Sequence, residues 1–233
     1  MSTWSIAETR KRIASRFGQP HLELVGPSLH AMAERQDFAR YHYQEVLRLL
    51  DDFQKRHLAD RPLFVVSHGT DEEARGDFEL LMTQISAHAL ACVLSIHAVA
   101  DVTAFAAYHA LGYGLQPDPL RERDISANSV QARLLATPDH AGIATLIGEL
   151  CIDANYKHVA ALANKSKHQA LVRPVLNEDW TGNREQRHEI RFSAFKIGEN
   201  EYPEVALATL LMPAYNLASR ITIDVGNALN THL

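Results

Sequence analysis

Residues 77–111 read DFELLMTQISAHALACVLSIHAVADVTAFAAYHAL. Leu80, Leu81, Ile85, Ala89, Cys92, Ile96, Val99, Val102 and Ala106 recur every three or four positions, the period of one face of an α-helix. Gly112 and Gly114 follow at the point where such a helix needs a terminator. The spacing predicts one long helix from Asp77 to Leu111. Further apolar residues (Ala87, Ala91, Val93, Ala98, Ala100, Ala107) lie beside the main stripe, more than one packed layer covers. The helix is therefore expected at the centre of a bundle, with a surplus face available for a homodimer. His88, His97 and Asp101 interrupt the run, whereas a membrane-spanning helix needs about 20 residues with few or no charges. A buried helix of a cytoplasmic protein, not a membrane span, is the expectation.

Working outward, Ser5 and Glu8 form a Ser-x-x-Glu cap for a helix over Ser5–Arg16, which Gly18 and Pro20 are expected to stop. Arg10, Lys11, Arg12 and Arg16 interleave there with Ile6, Ile13 and Phe17, as in a helix docked on a surface. A second helix is predicted over Glu34–Arg56, and RPLFVVSHGT after it reads as extended. Beyond the loop YGLQPDPLRERD come a short helix over Ala127–Leu135 and a helix start at Thr137-Pro138. That helix is expected to continue, bent near Asn155, until Pro174 ends it. The run HEIRFSAFKIGENEYPEV alternates Ile190, Phe192, Ala194 and Lys196 around a turn at Gly198, which predicts a β-hairpin. A last helix over Ala206–Asn230 is expected to bend or restart at Pro213. The fold class is mainly α: an antiparallel helical bundle with a small C-terminal β-hairpin and a final helix. A single domain over 1–233 divides into N-terminal helices (1–60), a bundle core (70–174) and a hairpin-plus-helix extension (186–233).

Composition narrows the function classes. A net charge of −5 and a pI near 6.2 exclude a surface that is basic throughout, so nucleic acid can meet this chain only at a local patch. Cys92 and Cys151 both sit in apolar helical stretches and read as buried thiols rather than a disulfide framework. There is no Gly-rich phosphate loop, no Gly-x-Ser-x-Gly, no Cys-x-x-Cys and no His-Glu-x-x-His. Those absences weigh against nucleotide hydrolases, serine hydrolases and zinc enzymes of the usual kinds.

One polar stretch interrupts the apolar helices: Asn164-Lys165-Ser166-Lys167-His168. On a helix Asn164 and His168 share a face. With Lys157, His158 and Arg173 they form a basic strip on an acidic chain, where RNA or a nucleotide is the expected partner. A solvated helix C-terminus, favoured there by the helix dipole, explains the same residues. The Asn-x-x-Lys-His ending, together with the preceding SIHAVADVTAFAAYHALG, resembles the HEPN superfamily over roughly Asp77–Pro174. The resemblance implies a helical bundle that dimerises and, in its active members, a metal-independent ribonuclease using an Arg and a His. On this chain His168 falls at the His and Ala163 at the Arg. Arg offers a fixed fork of donors to a phosphate and Ala offers none.

Intrahelical pairs complete the candidates: His97 with Asp101, Glu149 with Asp153, and Asn164 with His168. Asp101 is expected to accept hydrogen bonds from His168, Lys165 or Asn164, and to orient His97. The polar pocket would then hold Asp101, His97, Asn164, Lys165, Lys167, Glu149 and Asp153, with His168 as the catalytic candidate and neither metal nor cofactor. Three readings stay open. The first is a non-catalytic HEPN-like binding or dimerisation protein of a bacterial defence or toxin-related system. The others are a ribonuclease acting through His168 and a bundle metalloprotein.

Overall fold

The computed structural model describes residues 3–233. Ser5 caps the first helix as its pattern predicts: its Oγ accepts the Glu8 N–H at 3.3 Å, and α1 spans Ile6–Phe17. Gly18, at φ 84°, turns the chain out of it. Pro20 does not extend that stop. It lies in the first turn of α2, Gln19–Phe53, where its missing N–H leaves no gap. This helix starts well before Glu34 and runs through Pro27. Glu23, whose carbonyl loses its partner at Pro27, is exposed, so water can replace the lost bond. A π-helical turn, Gln54–Leu58, continues α2.

RPLFVVSHGT is helical, not extended. The helix α3 covers Leu63–His68 and buries Leu63 and Val66 while exposing Phe64 and Val65. Four apolar residues in a row carry no period, so the sequence does not distinguish the two conformations. The long helix α4 spans Glu72–Ala110, and Asp71 caps it by accepting the Ala74 N–H at 3.1 Å. Gly112, at φ 78°, is where it ends. The next helix, α5, covers Ala127–Leu135 as predicted, with a reciprocal cap between Ser126 and Ser129. The helix expected from Thr137 to Pro174 is two helices: α6, Ala141–Ile152, and α7, Ala154–His168. Asp153 is extended (ψ 134°) and its carboxylate accepts the Tyr156 N–H at 2.8 Å, which opens α7.

The β-structure is larger than one hairpin. Strands β1 (Pro174–Glu178), β2 (His188–Phe192) and β5 (Val205–Ala206) form an antiparallel sheet in the order β1-β2-β5, with Leu176 opposite Ile190. Pro174 starts a strand, a position that proline tolerates. Strands β3 (Phe195–Ile197) and β4 (Asn200–Tyr202) form the expected hairpin around Gly198 (φ 57°). The alternation restarts between β2 and β3: His188, Ile190, Phe192 and then Phe195 are buried, while Ala194 and Lys196 are exposed. The last helix, α8, spans Leu207–His232 without a break at Pro213. Thr209, one turn before it, is exposed, so its unpaired carbonyl has access to water.

The chain groups into two compact units that do not follow the segments 1–60, 70–174 and 186–233, because the long helices contribute to both. One holds residues 1–37, 95–157 and 214–233. Its core packs Ile13, Leu29, Ile96, Tyr108, Leu134, Ile147, Ile221 and Leu229. The other holds residues 38–94 and 158–213, around Phe53, Val66, Ile85, Leu162, Ile190 and Phe192. The helix α4 is long and apolar enough to cross a membrane by length and composition, and 56% of its most apolar stretch is buried inside the protein. Both cysteines are free.

Candidate functional site

The stretch 164–168 is the last turn of α7. Ala163 is fully buried, whereas Asn164, Lys167 and His168 are exposed. Lys165 reaches across to donate to the Lys196 carbonyl at 3.0 Å and to Gln169 Oε1 at 3.3 Å. Three basic side chains beside free helix carbonyls form a favourable helix end. The basic strip is interrupted. His158 turns inward, 9% exposed, with its ring beside Phe195 and Tyr202. Burial holds its pKa below the ordinary imidazole range, and its Nε2 has no hydrogen-bond partner among the described residues.

The other predicted pocket residues belong to the unit of residues 1–37, 95–157 and 214–233, and each has its own partner there. Asp101 accepts the Ala127 N–H at 3.0 Å, at the start of α5. Its hydrogen bond thus goes to a backbone donor. It is exposed, so the desolvation cost that motivated the expected pairing is absent. Glu149 pairs with Arg220 at 2.5 Å, and Asp153 caps α7. His97 offers its carbonyl to the Tyr156 hydroxyl at 2.7 Å. That hydroxyl also accepts the Ala100 N–H at 3.2 Å, so it sits inside the backbone ladder of α4. Burial pushes the Tyr156 pKa up. Among the described residues no group of three or more His, Cys, Asp or Glu side chains could hold a metal ion.

Sequence reasoning missed one cavity. It lies in the unit of residues 38–94 and 158–213, has a volume of about 530 Å³, and falls in the size range of small-ligand sites. Its walls are Phe78, Met82 and Leu90 from α4, Leu162 from α7, Leu171 and Val172 from the link to β1, and Phe192 from β2. Small residues of α4 (Thr83, Ser86, Ala87) leave the space open. Three of its other lining residues are polar. Ser166, from the polar stretch, lines it, and so does Arg173, which is exposed and makes no hydrogen bond or ion pair among the described residues. Glu79 lines it as well. The available signal was the second stripe on α4, at 79, 82, 83, 86, 87, 90 and 93, which reads equally as a packing face.

No family model, curated protein or solved structure matches this chain.

Proposed function

We infer that the chain is a non-catalytic, HEPN-like binding protein, and that the groove between α4, α7 and β1 takes an apolar ligand carrying one acidic group. The observation that carries this reading is the pairing of an apolar cavity with an unpaired guanidinium at Arg173. Such a cation attracts a carboxylate or phosphate, and Glu79 on the same lining disfavours a second negative charge. The burial of Ala163 supports the non-catalytic part: its side chain does not reach a substrate, and His168 stands at the surface without an Arg partner at that position.

Titration calorimetry with dodecanoate and dodecanol tests the ligand class. Dodecanoate is expected to bind one to one and more tightly than the alcohol. Arg173→Gln should remove the difference, and Ser166→Phe should fill the groove and abolish binding. Equal affinity for acid and alcohol in wild type, or normal binding by Ser166→Phe, overturns the assignment. RNA incubated with the chain in EDTA should stay intact. Cleavage that His168→Ala abolishes would restore the ribonuclease reading. Homodimerisation belongs to the same proposal. Leu80 is 56% exposed, Ala87 is exposed, and Ala91 and Leu94 are half-exposed along one side of α4. Light scattering should report twice the 26.0 kDa chain mass.

A further inference from the structure

Two histidines outside all of the predicted constellations face each other in the unit of residues 38–94 and 158–213. The Nδ1 atoms of His42, on α2, and His88, on α4, lie 2.9 Å apart. Their ring centroids are 5.1 Å apart at an interplanar angle of 45°, and Tyr41 stands edge-on to both rings. Both histidines are half-buried, so the pair is neither sealed in the core nor loose in solvent. An imidazole is the commonest nitrogen ligand for first-row metal ions.

We propose that His42 and His88 bind a divalent transition-metal ion such as Ni²⁺, Cu²⁺ or Zn²⁺ through their Nδ1 atoms, with water available for the remaining positions. Distance supports this. Two nitrogens bound cis at about 2.0–2.1 Å are about 2.9 Å apart at a right angle, and about 3.4 Å apart at the tetrahedral angle. The observed separation is therefore already that of a square-planar or octahedral cis pair, and each ring has only to tilt until its lone pair meets the ion. A neighbouring negative charge supports it as well. His42 and Glu45 are three residues apart on α2, so they share one face of the helix. Glu45 lies close enough to both imidazoles for their charge to lower its pKa, although the bond from Arg48 is the larger cause. Its Oε2 is held by Arg48 at 2.8 Å, while no hydrogen bond is drawn to Oε1 among the described residues.

Protonation fits the same picture. In a Nδ1···Nδ1 contact only one nitrogen carries the proton, so one ring is the Nδ1–H tautomer and the other accepts from it. Binding moves that proton to Nε2 of the donor ring, and two neutral rings release no net proton to solvent. Burial, followed by the charge of His88, holds the His42 pKa below the ordinary imidazole value, which keeps the ring ready for a metal at neutral pH. The charged or titratable groups around the pair are Glu45 and Arg48 on α2, and Tyr41 at its edge.

The test is calorimetry of the purified chain with Ni²⁺, alongside a copper-loaded sample read by electron paramagnetic resonance. One equivalent of Ni²⁺ should bind saturably at pH 7.5, and the copper spectrum should show two equatorial nitrogens. His42→Gln and His88→Gln should each weaken binding at least about tenfold. His168→Ala, which removes an exposed histidine elsewhere, should leave it unchanged. Circular dichroism checks that each variant is folded, and the two substitutions stand in for each other if one is not. Lowering the pH to 5.5 should weaken binding, as protons compete for the rings. No saturable binding by wild type, or unchanged affinity in both Gln variants, overturns the proposal and leaves the pair as a hydrogen bond joining two helices.

Discussion

Placing an arginine at Ala163 tests the register on which the ribonuclease resemblance depends. If Ala163 stood where a catalytic Arg projects into a site, Ala163→Arg would be well tolerated. In the structure the side chain is 0% exposed, on the α7 face that also buries Val159 and Leu162. The six added heavy atoms must be forced into a fully buried position, and overpacking of this kind costs about 1–3 kcal/mol. The guanidinium adds an unpaired buried charge, for which breaking a buried pair gives the scale of about 3–5 kcal/mol. Escape of the head group toward solvent along the Arg stem reduces that second cost. A net loss of about 4 kcal/mol is the working figure. With a urea slope of about 2 kcal/mol per molar for a chain of this size, the denaturation midpoint should fall by about 2 M. Ala163→Val is the companion, since it adds volume without charge, and it should lose less than half as much. An arginine variant within 1 kcal/mol of wild type would refute the burial argument. Ribonuclease activity gained with it would show that the position opens onto a site.

Three further outcomes follow from the packing. Burial lowers the pKa of His42, His109, His140, His158 and His188, so these rings resist protonation in the folded chain. The stabilisation from keeping them neutral is present above their ordinary value of 6.5 and is lost as the pH falls below it; the urea midpoint should be lower at pH 5.5 than at pH 7.5, and an equal or higher midpoint sinks the reasoning. A Cβ at Gly226 would lie 2.1 Å from the Trp4 ring, so Gly226→Ala should expel the indole. The loss, about 1–3 kcal/mol of overpacking against roughly 1 kcal/mol gained in helix propensity, should come with a red-shifted tryptophan emission. Glu178, with a side chain only 3% exposed, accepts the Leu63 N–H at 2.8 Å and pairs with Arg187. Glu178→Ala should cost about 1–3 kcal/mol by leaving a buried donor unpaired, measured by the same denaturation.

Helix ends with side-chain signals were legible in the sequence. Ser5 with Glu8 and Gly112 each mark a boundary that the structure keeps. Signals with two physical meanings misled. Pro20 and Pro174 read as stops, yet one sits in a first helical turn and the other opens a strand. Asp153, the true break between α6 and α7, is a good helix cap that looks like an ordinary surface carboxylate when its neighbours are apolar. The hydrogen bond of Asp101 was not legible because its partner is a backbone N–H, which no residue letter announces. The groove was half visible as the second stripe on α4, but only the fold brings Leu171, Arg173 and Phe192 against it. The His42–His88 contact joins residues 46 positions apart and leaves no local trace.

The hydroxyl of Tyr156 inside the ladder of α4 has a consequence for amide exchange with solvent deuterium. In an unbroken helix the amide of Ala100 would be protected by its own turn and would open when that turn frays. Here the phenol takes that proton at 3.2 Å and hands its own to the carbonyl of His97. Protection at Ala100 thus also reports whether the first turn of α7 stays docked. In Tyr156→Phe this one amide should exchange sooner than those a turn away on either side, a point defect in the protection pattern of an otherwise continuous helix.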